Sequence, residues 1–272
     1  MGNDVCIDSI GVTHGKAPAD ARIVSLVPSL TELLCELGLG AQIVGRTGFC
    51  IHPRETVRSI PKVGGTKDVD VEKIRQLAPT HVIVNVDENR RSIMASLAPF
   101  VGSIFVTHPV APADNLALFA AMGFLFSRER PAAVLEERFV AALKRLQSVD
   151  DRAPAKVLYL IWRDPWMSIS PDTYIARMLD LVNWQSLPSA PPQRYPVIDL
   201  ADYTGVVDRV LLSSEPYPFR DKHIAEVQAI CGDACQVTIV DGEMLSWYGS
   251  RAIAGLDYLG TLAGSVGEIC RR

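Results

Sequence analysis

The residues of this 272-residue chain best suited to chemistry lie in short polar stretches that follow apolar runs. Residues 46–53 (RTGFCIHP) carry Phe49, Cys50 and His52. Residues 62–70 (KVGGTKDVD) carry Lys67, and residues 85–90 (NVDENR) carry Glu88 and Asn89. Farther along, Trp162, Arg163 and Trp166 follow the run KVLYLI. Glu215, Tyr217 and Phe219 fall in SEPYPF, and Trp247, Tyr248 and Arg251 in DGEMLSWYGSR. Three of the four tryptophans are in these stretches. Large aromatics on polar loops suit a broad, flat, partly apolar ligand, with charged groups fixing its orientation. The plainer reading is that they plug the loop ends of the fold. Their place outside the strand cores favours binding.

Cys50 and His52 are two residues apart in an extended segment, so their side chains point to opposite sides and rarely chelate one ion together. Either could ligate a metal already carried by a ligand, His52 being the candidate for that role. Alternatively, Cys50 is a small buried apolar residue and His52 a surface hydrogen-bonder. Cys231 and Cys235 lack the second pair of a zinc site and are expected to be structural. His14, His81 and His108 stand alone, and His223 opens a helix. There is no G-x-x-x-x-G-K-[ST], H-E-x-x-H or G-x-S-x-G, and Ile43 breaks a dinucleotide fingerprint after Gly38 and Gly40. No catalytic residue is expected.

The elements that must position these loops alternate. Short apolar strands are expected at 22–27, 42–45, 81–84, 103–106, 156–161, 209–213 and 236–240. Helices are expected at 31–37, 71–77, 91–97, 114–122, 173–182, 222–230 and 251–262, with irregular chain at 186–196. Such β-α repetition predicts parallel sheets flanked by helices, with ligands beyond the strand C-termini. Between the halves, Leu135, Phe139, Ala142, Leu143 and Leu146 recur at helical spacing. They predict one long helix over 129–148, about 30 Å from end to end. It can be a strut joining two lobes or a crossover helix inside one sheet. The divisions expected are an arm over 1–21, a first α/β lobe over 22–126, the bridging helix over 127–150 and a second α/β lobe over 151–272.

The net charge of -4, without a basic stripe, argues against nucleic acid. No apolar run reaches the ~18 residues of a membrane span. The first twenty residues have no basic segment followed by an apolar one, so no secretory signal is read there. On that ground the six scattered cysteines are expected to be reduced thiols.

RIVSLVPSLTELLCELGLGAQIVGRT, then VGGTKDVDVEKIRQLAPTHVIV, then the long helix resemble the class III, helical-backbone substrate-binding proteins of ABC importers. The resemblance runs from Arg22 to Leu262 and is nearest the cobalamin-binding branch. It implies two Rossmann-like α/β lobes bridged by one rigid helix, with the ligand in the cleft between lobes that move little. It implies no enzymatic activity, a monomer, a periplasmic location and an importer permease as partner. By position it assigns ring-facing roles to Phe49, Cys50 and His52, to the loop at Trp162–Trp166 and to that at Trp247–Arg251. The family's importer-docking acids would correspond to Glu72 or Glu55 and to Glu226. Where that branch has aromatics in its second glycine loop, this chain has Gly64, Gly65, Thr66 and Lys67.

The ligand expected is therefore cobalamin or another corrinoid, with a ferric siderophore or haem as the alternative and no intrinsic cofactor. A third reading makes the chain a cytoplasmic corrinoid- or metal-handling enzyme or chaperone acting through Cys50 and His52.

Overall fold

The computed structural model describes residues 5–149 and 152–264. Residues 1–21, expected to be a loose arm, are in their described part a pinned hairpin. β1 (Cys6–Ile7) pairs antiparallel with β2 (Thr13–His14). One oxygen of Asp8 accepts from the Ile10 and Val12 amides. The other meets the Val106 amide and His14 Nε2, both at 3.2 Å. A buried carboxylate requires such partners, and here they tie the hairpin to the first lobe.

That lobe is built on β3 (Ile23–Ser25), α1 (Pro28–Glu36), β4 (Ile43–Arg46), α2 (Arg54–Val57), α3 (Val71–Gln76), β5 (His81–Asn85), α4 (Arg91–Leu97), β6 (Ser103–Thr107) and α5 (Asp114–Leu125). Its four parallel strands run β4-β3-β5-β6. Every residue of β3 and β5, the central pair, is buried, as a sheet covered on both faces requires. Pro28 stands in the first turn of α1, where a missing N–H costs no helical bond.

α6 (Glu129–Gln147) is the expected long helix. Ala132, Leu135, Phe139, Ala142 and Leu146 are buried along one stripe, and the Phe139 ring meets Phe119 edge-on. The first of two compact units takes the chain to Pro109, with Ala113–Phe139 and Tyr248–Arg251. The second takes Val110–Pro112, Val140–Trp247 and the chain from Ala252 on. The division thus falls inside α6, and a short segment near the C-terminus belongs to the first unit.

The second unit continues with β7 (Ala155–Leu160), α7 (Tyr174–Asp180), β8 (Trp184–Leu187), β9 (Arg209–Ser213), α8 (Asp221–Cys231), β10 (Gln236–Val240), α9 (Gly242–Ser246) and α10 (Arg251–Gly264). Its parallel strands run β10-β9-β7-β8. β8 was not expected. It pairs at the sheet edge with β7, and Trp184 within it is buried with the Arg209 guanidinium over its ring. Both sheets have the same order: the second strand outermost, then the first, third and fourth. The chain therefore reverses its winding between β3 and β5 in one unit, and between β7 and β9 in the other. Crevices at strand C-termini open at such switch points.

Candidate ligand-binding site

In the second unit, β7 and β9 deliver their loops side by side. The β7 loop folds back on itself through Ile161 N to Met167 O and Met167 N to Trp162 O. This turn presents Trp162, which remains 41% exposed, with its ring 5.6 Å from that of Tyr217 and edge-on to it. Trp166 stacks parallel to Phe219 at 6.1 Å. His223, buried at the start of α8, packs edge-on against both Tyr217 and Phe219. Four aromatics expected in the site are thus one continuous cluster, with Trp162 its most exposed member.

Arg163 lies over Trp166 and forks onto Glu226, with contacts of 2.6, 3.1 and 3.2 Å, and also reaches Asp164. These hydrogen bonds hold the Glu226 carboxyl below the usual range. The other acids matched to importer docking are paired as well, Glu55 with Arg58 and Glu72 with Arg75.

Glu215 follows β9 and accepts from Trp247 Nε1 at 2.7 Å and Ser246 Oγ at 3.0 Å. Burial pushes its carboxyl up, the two hydrogen bonds oppose this, and Glu243 and Asp241 add to the rise. A cavity of about 530 Å³ opens at the ends of β9 and β10, lined by Ser214, Glu215, Ile239, Val240, Asp241 and Glu243. Gly242 is required beside it: a Cβ there would lie 2.4 Å from Ser213 Oγ and 2.7 Å from Glu215 Cγ.

In the first unit, the chain after β4 separates its side chains as the alternation predicts. Phe49 and Ile51 are exposed, Cys50 is fully buried and His52 is half-buried. Cys50 Sγ lies 3.1 Å from Thr47 Oγ1, and burial pushes its thiol up, so it stays protonated. The Phe49 ring approaches Gly65, where an added Cβ would sit 3.4 Å from it. Lys67 is exposed at the tip of the turn that Gly65 N closes onto Asp68 O.

Asn89 is a fastener. Its carboxamide accepts from Asn85 N and donates to Leu26 O and Thr66 O, joining the ends of β3 and β5 to the glycine turn. Beside it, Glu88 accepts from Tyr248 OH at 2.8 Å, and burial raises the Tyr248 hydroxyl well above its usual range. Arg251 forks onto Glu32 with two contacts of 2.7 Å. Trp247 and Tyr248, expected together in one wall, fall in different units and are each only 7% exposed. Exposed Ile51 and Val86 lie on the same strand-end loops as Phe49 and Glu88. Sequence reasoning passed over them because single aliphatics carry no motif. Among the described residues, no group of three or more histidine, cysteine or acidic side chains could hold a metal ion. Nor is any helix there long and apolar enough to cross a membrane.

A family model described as periplasmic binding protein matches residues 23–200. Among curated proteins, an ABC transporter substrate-binding lipoprotein of Bacillus subtilis, YvrC, is 43% identical over 74 residues, 27% of this chain and 22% of that protein. A vitamin B12-binding protein of Photorhabdus laumondii is 28% identical over 97 residues, 36% of this chain and 35% of its own length. The matches thus span about a fifth to a third of these relatives. Among solved structures, the vitamin B12 binding protein BtuF of Vibrio cholerae superposes with a TM-score of 0.74 at 17% identity, covering 90% of this chain and 96% of that one. The haem-binding protein HutB of the same organism also gives 0.74, at 21% identity, covering 89% and 98%. At such identities the likeness is one of fold.

Proposed function

The chain belongs to the periplasmic binding protein family, and we propose that it captures cobalamin or another corrinoid and delivers it to an ABC-type importer. It works by binding alone, outside the cytoplasmic membrane, as a monomer. The observation that carries the corrinoid reading is how the charges beside the aromatics are disposed. Arg163 is engaged by Glu226 and Arg251 by Glu32, while the cavity at β9 and β10 is lined by three carboxyl groups. A haem brings two carboxylates, and many ferric siderophores are anionic, so both need cations, and both arginines here are already paired. A corrin ring offers a flat apolar face to an exposed aromatic such as Trp162 and a fringe of amide N–H groups to acids. The curated relatives described as vitamin B12-binding support the same ligand class.

We assign to His52, beside exposed Phe49 and Ile51, the approach to a metal that the ligand carries. Chemistry through Cys50 is set aside, because a buried, protonated thiol is a poor nucleophile and a poor metal ligand. Haem or a ferric siderophore remains the second reading, with exposed Lys67 in its favour.

Visible spectra of the purified protein with aquocobalamin, haemin and ferric siderophores, each followed by gel filtration, test the assignment. Aquocobalamin should elute with the protein and the others apart from it. Co-elution of haemin alone, with a changed haem spectrum, would assign the second reading instead.

A further inference from the structure

We propose that Cys231 and Cys235 form a disulfide when the chain matures among disulfide oxidants, cross-linking the end of α8 to the start of β10. The other described cysteines, Cys6, Cys35 and Cys50, would remain thiols. All five described cysteines are free in the structure, and the sixth, Cys270, lies outside the described residues.

The geometry sets this pair apart. Cys231 is the last residue of α8, Cys235 immediately precedes β10, and both are buried in one core cluster. The three residues between them form a tight surface turn, with Gly232 at a φ of 89° that glycine adopts readily. That turn is fastened by four hydrogen bonds. Gly232 N donates to Gln228 O, and Cys235 N to Gly232 O. The Gln228 side-chain amide then donates to both Gly232 O and Cys235 O, at 2.6 and 2.8 Å. The turn thereby holds the two buried thiols close enough that each shifts the other's ionisation. A disulfide needs Cα atoms about 4.4–6.8 Å apart, and a turn that closes Cys235 N onto Gly232 O keeps the two residues near one another.

The chemistry is polarised in the useful sense. The interaction between the two thiols lowers the Cys231 thiol below its usual value and raises that of Cys235. Cys231 is therefore the attacking thiolate. It displaces one thiolate from an oxidant RSSR, forming a mixed disulfide. Cys235 then loses its proton and attacks the Cys231 sulfur, releasing the second. The balance is two protein thiols plus RSSR giving one protein disulfide plus two RSH. Asp233 and Ala234 above the pair are exposed, so opening this turn alone admits the oxidant. Cys35 lacks such polarisation: burial, with Glu32 and Glu36 nearby, pushes its thiol to about 11.

The test equilibrates the full chain with reduced and oxidised glutathione at graded ratios. Free thiols are alkylated under denaturing conditions, and peptides are read by mass spectrometry. The expected result is a peptide containing 231–235 that is two mass units light and unalkylated, with Cys35 and Cys50 alkylated. Cys231→Ser and Cys235→Ser should each abolish it, leaving mixed glutathione disulfide on the remaining cysteine. Thermal melting gives a second readout: the oxidised parent should melt higher than the dithiothreitol-treated parent, and this difference should vanish in the double serine variant. Alkylation of both Cys231 and Cys235 at every ratio, or a bond joining either to another cysteine, overturns the proposal.

Discussion

The indole N–H of Trp247 donates to Glu215 across 2.7 Å and 32 residues of sequence. It fixes a half-buried carboxyl group on the rim of the acidic cavity at the ends of β9 and β10. Trp247 therefore acts on the site through the acid that it holds. Replacing it by phenylalanine keeps most of the apolar contact and removes the donor. Trp247→Phe should cost about 1–3 kcal/mol, the penalty of an under-satisfied buried acceptor. Urea unfolding checks this, and an unchanged midpoint would show that the hydrogen bond is dispensable.

The same carboxyl makes stability depend on pH. Burial raises the folded-state value of Glu215. Its favourable contribution is fully present below the unfolded value of about 4.3 and is lost as pH rises through the raised folded value. Above that window, the ionised group costs stability. Glu215→Gln keeps an oxygen for Trp247 and removes the titration. The variant should therefore gain on the parent as pH rises from about 4 to about 7. Denaturant melts across that range would give a flat difference if Glu215 did not titrate in this way.

Glu226→Gln removes one of the two carboxylates that engage the Arg163 guanidinium and leaves Asp164. The pair is partly solvated, so the stability change should stay within about 1 kcal/mol. What remains follows from the lowered Glu226 value: that stabilisation exists above the unfolded value and fades as pH falls through the folded one. The larger effect is on ligand choice. Haemin affinity should rise about tenfold, ~1.4 kcal/mol, with corrinoid affinity little changed. Equal haemin binding before and after, measured by titration in visible light, would remove Arg163 from the selectivity argument.

Asn89 ties three segments through one carboxamide, and the aspartate variant isolates its donor half. Asn89→Asp keeps the acceptor for Asn85 N but turns a carboxylate oxygen toward the Leu26 and Thr66 carbonyls. It should destabilise more than Asn89→Ala, which should cost about 1–3 kcal/mol. The order of the two midpoints in urea is the check.

The parallel strands were legible because central strands buried on both faces read as plain apolar runs. β5 and β9 lie within a residue of their expected ends, and α6 shows its buried stripe as the 3.6-residue period dictates. The hairpin at Cys6–His14 was missed because two-residue strands are too short to show a period. β8 was missed because an edge strand reading WQSL buries alternate residues and runs directly into Pro188. The site loops stood out by composition. The partners that hold them did not: Arg251 meets Glu32 across 219 residues, and Tyr248 meets Glu88 across 160. No local pattern encodes pairings so distant.

Trp162 carries the central claim, since it is the exposed edge of the cluster formed with Tyr217, Phe219 and Trp166. Removing a large aromatic from a tight contact costs ~2 kcal/mol or more at a hot spot. Trp184, buried in β8, is the internal control. The decisive measurement is calorimetric titration of aquocobalamin into the parent, Trp162→Ala and Trp184→Phe. The parent should bind, Trp162→Ala should bind at least about tenfold more weakly, ~1.4 kcal/mol, and Trp184→Phe should match the parent. Equal affinity in all three, or no heat of binding in the parent, would contradict the assignment of these loops to a corrinoid.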